Sequence, residues 1–149
     1  MGDVVVDSRL FHQQVADPLA LVLAVARPQL VSHRDDDYPN EAVGILCVDG
    51  TCYPLINQAR SPKRFEVSQL LVAEAIAQLK VRKRHPVAIY HSHPTSDSGP
   101  SNRDVMMMQE MPQASFVIVG SDGIAAWMWD DELRFIVKIP LKEDVECQT

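Results

Sequence analysis

The sequence predicts an α/β or α+β domain in which one sheet is covered by helices and strands dominate the core. Two long segments place apolar residues at helical spacing: Leu19, Val22, Leu23, Ala26 and Leu30 in the first, and Leu70, Leu71, Ala73, Ala75, Ile76, Ala77 and Leu79 in the second. Short runs rich in β-branched residues, bounded by Gly, Pro and Asp, supply the strands. The order is helix, hairpin, helix, strand, short helix and three strands, which sets helices against one sheet.

Taken along the chain, Val4-Val5-Val6 forms a short edge strand. Asp17-Pro18 reads as an N-cap followed by proline at the first helical position. Pro28 is expected to kink or restart this helix near Ala26, and Asp35-Asp36-Asp37-Tyr38-Pro39 ends it. Val43 to Val48 and Thr51 to Ile56 make a hairpin about an Asp49-Gly50 turn, with Cys47 and Cys52 directly opposite each other. A helix runs from Val67 to Arg82 with a broad apolar face, followed by the short buried strand Val87-Ala88-Ile89-Tyr90. A cap at Ser101-Asn102-Arg103-Asp104 precedes a short helix, Val105 to Met111, closed by Pro112. Ala114 to Val119, Ile124 to Trp129 and Leu133 to Ile139 follow as a meander, and the polar residues from Lys142 onward are expected to fray.

A chain of 149 residues suits one domain, with its core between about residues 18 and 140. With 46% hydrophobic and 23% charged residues the composition is that of a soluble globular protein, and no apolar run approaches a membrane span. No signal-peptide pattern opens the chain, so the expected compartment is the cytoplasm. A net charge of −6 argues against nucleic acid as the main ligand. Seven of the fourteen basic residues nevertheless cluster as Arg60, Lys63, Arg64, Lys80, Arg82, Lys83 and Arg84, a solvated face or a surface for an acidic partner. Three cysteines without a Cys-x-x-Cys indicate neither a disulfide framework nor a thiolate metal site.

The chemistry concentrates in His91-Ser92-His93 and Asp104. Residues i and i+2 of a strand share a face, so the two imidazoles project together, and the Ser/Pro/Gly-rich loop after them can return a carboxylate. Two nitrogens and one oxygen make three protein ligands for a Zn²⁺ ion, leaving a fourth position for water. A nearby carboxylate able to move that water's proton is the remaining requirement, and Glu41 is the candidate.

Tyr38-Pro39-Asn40-Glu41-Ala42-Val43-Gly44, followed by His91-x-His93-Pro94 and Ser101-x-x-Asp104, resembles the JAMM (JAB1/MPN/Mov34) metalloprotease family. The likeness covers about Ala26 to Ile139, and Val43 stands where the family often has Cys. The resemblance implies an MPN-like domain, a central, mostly antiparallel curved sheet flanked by two long helices and one short helix. It further implies one zinc per chain held by His91, His93 and Asp104, with Glu41 as general acid and base and Ser101 donating to the oxyanion. The implied reaction is hydrolysis of a peptide or isopeptide bond at the C-terminal tail of a ubiquitin-like or sulfur-carrier protein. Short connections after Ile56 and Asp104 resemble the compact prokaryotic and phage members. A non-catalytic, assembly-associated module of the same fold, for example related to phage tails, is the alternative.

Simpler explanations exist for several of these residues. Ser101 and Asp104 also read as a capping box, and a ligand carboxylate is not expected to reach back to the cap as well. Met106, Met107, Met108 and Met111 read as a packed helix face, or as a soft substrate surface. Trp127 and Trp129 share one face of a strand, whereas His12, His33 and His85 read as surface residues.

Overall fold

A computed structural model describes residues 16–112 and 114–141 of the chain. The elements are α1 (Ala16–Asp37), β1 (Val43–Cys47), β2 (Cys52–Leu55), α2 (Gln69–Val81), β3 (Pro86–Ser92), α3 (Asn102–Glu110), β4 (Phe116–Gly120), β5 (Gly123–Asp130) and β6 (Phe135–Ile139). The strands form one sheet in the order β2-β1-β3-β4-β5-β6. Every neighbouring pair is antiparallel except β3 and β4, which run parallel. The predicted mixed α+β architecture, one mostly antiparallel sheet with two long helices and one short helix, is the one observed. The expected strand Val4 to Val6, His12 and the polar end after Leu141 lie outside the described residues.

A parallel pair cannot be joined by a tight turn; the chain must cross over, and α3 lies in that crossover. With α1 on one face and α2 and α3 on the other, the middle of the sheet is covered on both, so β3 is buried from Val87 to Ser92. Strand alternation then sorts its side chains. Ala88 and Tyr90 join Leu19, Leu23, Ala26 and Leu30 of α1. Ile89 faces the other way, into a core made with Val72, Ala75 and Leu79 of α2 and Met108 of α3. Each such large apolar side chain contributes about 1.5–3 kcal/mol on full burial, enough to hold the helices to their two faces.

This packing overrides two local signals. Pro28 lies inside an α1 that is not interrupted before Asp37. The lost backbone hydrogen bond is tolerated because Ala26 and Leu30, on either side of the proline, are 0% and 1% exposed against the sheet. Asp17 accordingly lies within the helix and not at its cap. The α2 face is narrower than predicted: Ser68 caps the helix, Leu70 and Leu71 are exposed, and only Val72, Ala75 and Leu79 are buried.

The hairpin register also differs. Leu46 stands opposite Cys52, the Cys47 N–H donates to the Thr51 carbonyl, and the Gly50 N–H donates to the Cys47 carbonyl. The loop therefore holds three residues, not two, and a one-residue shift sends a side chain to the other face. Cys47 belongs to the core under α2, Cys52 packs against the core under α1, and both thiols are free. His33 is not a plain surface residue: its Nδ1 lies 2.7 Å from the buried Tyr90 hydroxyl and its Nε2 is 3.1 Å from Asp37. His85 is exposed as expected.

Two outcomes follow for the folded protein. A Cβ on Gly44 would sit 2.3 Å from the Tyr90 ring, so Gly44→Ala should lower unfolding free energy by about 1–3 kcal/mol, read by urea denaturation. Mass spectrometry under non-reducing conditions should find no Cys47–Cys52 bond, since the two side chains occupy opposite faces of the sheet.

Candidate metal centre

The site forms where β3 ends. His91 pairs with Val43 of β1 on one side and Ile118 of β4 on the other, so its backbone is held from both edges. Its ring is fully buried and lies 4.7 Å, centroid to centroid, from Phe65. His93 follows the strand and stays attached to β4, its N–H donating to the Val119 carbonyl at 2.9 Å. The loop after it rests on Gly120, where a Cβ would meet the backbone of Asp97 and Ser98 at 2.4–2.8 Å. That close approach delivers the Asp97 carbonyl to His93 Nδ1, at 2.7 Å.

The third group arrives on α3. Ser101 is the N-cap: its hydroxyl accepts from the Asp104 N–H at 3.1 Å, while the Ser101 N–H donates to Asp104 Oδ2 at 2.9 Å. This is the predicted capping box. The same Oδ2 lies 3.1 Å from His91 Nε2 and 2.9 Å from His93 Nε2. The expectation that Asp104 serves either the cap or the imidazoles is therefore wrong. A carboxylate oxygen has two lone-pair directions, and here one meets the helix terminus while the other faces the histidines.

Proton positions show what this cluster is suited to hold. A carbonyl only accepts, so His93 Nδ1 carries the proton, and in the neutral ring Nε2 is left as a bare lone pair. That lone pair faces the Asp104 oxygen, a second acceptor, and lies 3.2 Å from His91 Nε2, whose ring has no partner at Nδ1 to fix its tautomer. Only a proton or a cation reconciles such a convergence. Burial is the largest influence on His91 and lowers its pKa. Burial also opposes charge on His93, but the hydrogen bonds to Asp104 and the Asp97 carbonyl outweigh it, and the pKa rises. For Asp104, burial pushes upward and is overcome by the bonds from both imidazoles, leaving the carboxyl well below the usual range.

Glu41 closes the fourth side. It is 3% exposed, and it offers an oxygen that lies, together with a nitrogen from each histidine, in a group whose atoms are all within 4.8 Å of one another. Burial pushes its pKa up to about 7, and its Oε1 has no hydrogen-bond partner. His91 Nδ1 is likewise unpartnered. A buried unpartnered polar atom costs about 1–3 kcal/mol, and both instances among the described residues lie in this cluster.

The structure thus brings together Glu41, His91, His93 and Asp104, and places Ser101 beside them as the helix cap. Three further residues escaped the reading of the sequence. Phe65, a lone aromatic in a polar segment, covers His91. Ser92 accepts from the Ala42 N–H at 2.8 Å, joining β3 to the segment that carries Glu41. Asn57 holds the connection after β2, although its only sequence signal is an amide residue at a strand end. The methionines divide: Met108 is fully buried, whereas Met106 is exposed and lines a groove that reaches Asp104. Trp127 and Trp129 both pack on the α2 and α3 side, as their spacing predicts.

The same arrangement of elements recurs in other proteins. The chain is 31% identical over 98 residues to the CysO-cysteine peptidases of Mycobacterium bovis and Mycobacterium tuberculosis, an overlap of 62% of this chain and 66% of those proteins. A solution structure of a protein from Desulfitobacterium hafniense superposes with a TM-score of 0.63 at 19% identity, covering 79% of this chain and 92% of the other, a likeness of fold. The family model for prokaryotic homologs of the JAB domain matches residues 23–130, a span that runs from within α1 to the end of β5 and contains all four converging side chains. The chain belongs to that family, the prokaryotic JAB domains.

Proposed function

We propose that this protein is a zinc-dependent peptidase or isopeptidase that cuts at the C-terminal tail of a sulfur-carrier or ubiquitin-like protein. The observation that carries the reading is the triangle of His91 Nε2, His93 Nε2 and Asp104 Oδ2, with sides of 3.2, 3.1 and 2.9 Å. Ligands bound tetrahedrally to zinc at its usual bond lengths stand about 3.3 Å apart, so the three atoms need little adjustment to hold that ion. The name of the mycobacterial relatives, CysO-cysteine peptidase, supports placing a sulfur-carrier tail first among substrates.

When bound, zinc would polarise the scissile carbonyl and acidify a water molecule. Glu41, on the cluster's buried wall, takes the proton of the attacking water and returns it to the leaving amine, a task suited to a carboxyl whose pKa is raised to about 7. The hydroxyl hydrogen of Ser101 is not used in the capping bond and donates to the substrate carbonyl oxygen as it gains negative charge. Asp104 and the Asp97 carbonyl fix the two imidazoles in orientation. A groove of about 500 Å³, lined by Phe65, Val67, Ile89, Met106 and Met107 and also by Arg64, Arg103 and Asp104, receives the extended tail.

Metal analysis of the wild type should return about one zinc per chain, and a His91→Ala/His93→Ala protein that keeps its full complement would sink the ligand assignment. Glu41→Gln should retain zinc and lose at least about 100-fold in kcat. Loss of zinc instead would make Glu41 a ligand, as its closeness to both histidines permits. Ser101→Ala should reduce kcat by roughly 100-fold and weaken α3 by about 1 kcal/mol in urea denaturation.

A further inference from the structure

We propose that Asn57 is the positioning residue for Glu41: its side-chain amide clamps the Glu41 backbone to the connection between β2 and α2, and so aims the carboxylate. The inference rests on Glu41 being the acid and base of the proposed reaction.

Glu41 lies two residues before β1, outside the sheet ladder. Ala42 is already secured to β3, its N–H donating to Ser92 Oγ and its carbonyl accepting from the Ser92 N–H. Glu41 is held differently. Its N–H donates to the Ser61 carbonyl at 2.8 Å, and its carbonyl accepts from Asn57 Nδ2 at 3.0 Å. Both anchors come from the stretch between Leu55 and Gln69, which contains no helix or strand. Such a stretch fixes nothing unless something fixes it.

Asn57 supplies that restraint. It is 7% exposed and makes all four bonds that a side-chain amide can make with two donors and two acceptor directions. Nδ2 donates to the carbonyls of Glu41 and Arg64, and Oδ1 accepts the N–H groups of Ala59 and Glu66 at 3.0 Å each. The Gln58 N–H adds a bond to the Glu66 carbonyl at 2.8 Å. Residues 57 to 66 are thereby drawn into a closed loop around one side chain. Three of the four amide bonds close this loop; the fourth leaves it and ends on Glu41.

At the other end, Glu41 Oε1 has no partner. No hydrogen bond to Oε1 aims the carboxylate, so where it can reach depends on the packing around it and on the place of its backbone, which is held by Asn57 directly and through Ser61. A displacement of about 1 Å at a reacting group costs on the order of 100-fold in rate.

Asn57→Ala and Asn57→Asp separate this role from simple loop support. Asparagine to aspartate keeps the acceptor for Ala59 and Glu66 but forfeits both donated bonds, so it serves if the alanine variant folds poorly. Either variant should bind about one zinc and show kcat lowered roughly 10–100-fold with KM within about threefold. Amide hydrogen exchange should quicken at Glu41 and across residues 58–66 and not in β3 to β5. In a Glu41→Gln background the substitution should cause no further loss of turnover, whereas a loop defect acting through the metal or the groove would. Unchanged exchange at Glu41, a loss traced to missing zinc or raised KM, or additive loss in the double variant overturns the proposal. If the wild type binds zinc and cleaves no tail fusion, the peptidase reading fails and the catalytic role of Asn57 with it. The exchange measurement still decides the clamp independently.

Discussion

Strand β3 has a neighbour along each edge, antiparallel β1 and parallel β4, and a helical layer over each face. None of its side chains from Val87 to Ser92 has solvent to turn to, so each must find its partner where the strand puts it. Tyr90 does so by reaching His33 across the α1 core, with Gly44 leaving room for its ring. His91, one residue later, is delivered with equal rigidity to the opposite face. The parallel pairing adds a second consequence, because it requires the crossover in which the second histidine and the carboxylate lie. The topology that buries the strand also supplies its chemistry.

Electrostatics and helix initiation meet at a single atom. Asp104 Oδ2 accepts the cap N–H of α3 and faces two imidazoles, where its negative charge also complements the helix N-terminus. The position of a proposed ligand is therefore not independent of the fold: α3 cannot begin where it does without presenting that oxygen to His91 and His93. Opposite it, Glu41 gains no hydrogen bond at Oε1, and burial keeps its pKa raised. The two carboxylates of one cluster are thus pushed in opposite directions, the separation of a charge holder from a proton carrier that the proposed reaction calls for.

The amino-acid pattern made the strand and helix order, the capping box and the convergence of His91, His93 and Asp104 readable, because each rests on short-range periodicity or spacing; Glu41, 50 residues upstream of His91, was legible through the family resemblance. What it left out depends on contacts between distant segments. The continuity of α1 through Pro28 is a result of burial against the sheet, which no local signal reports. The hairpin register turned on whether Asp49-Gly50 closes a two-residue or a three-residue loop, and that single step reversed the faces of the cysteines. Asn57 and Phe65 lie in a polar stretch without periodicity, so their contacts with Glu41 and His91 arise only once the chain has folded. The double duty of Asp104 was missed because one residue was allotted one partner.

The buried atoms left without partners, Glu41 Oε1 and His91 Nδ1, divide the site by what holds each residue in place during evolution. Asp104 and Ser101 start a helix, and selection for folding alone would retain them in a descendant that had given up its reaction. Glu41 Oε1 and His91 Nδ1 each set an unmet cost against the fold, so folding gives less reason to keep these two residues than it gives for Ser101 and Asp104. Among related chains, an intact Ser-x-x-Asp would therefore say less about the proposed reaction than the identities at positions 41 and 91.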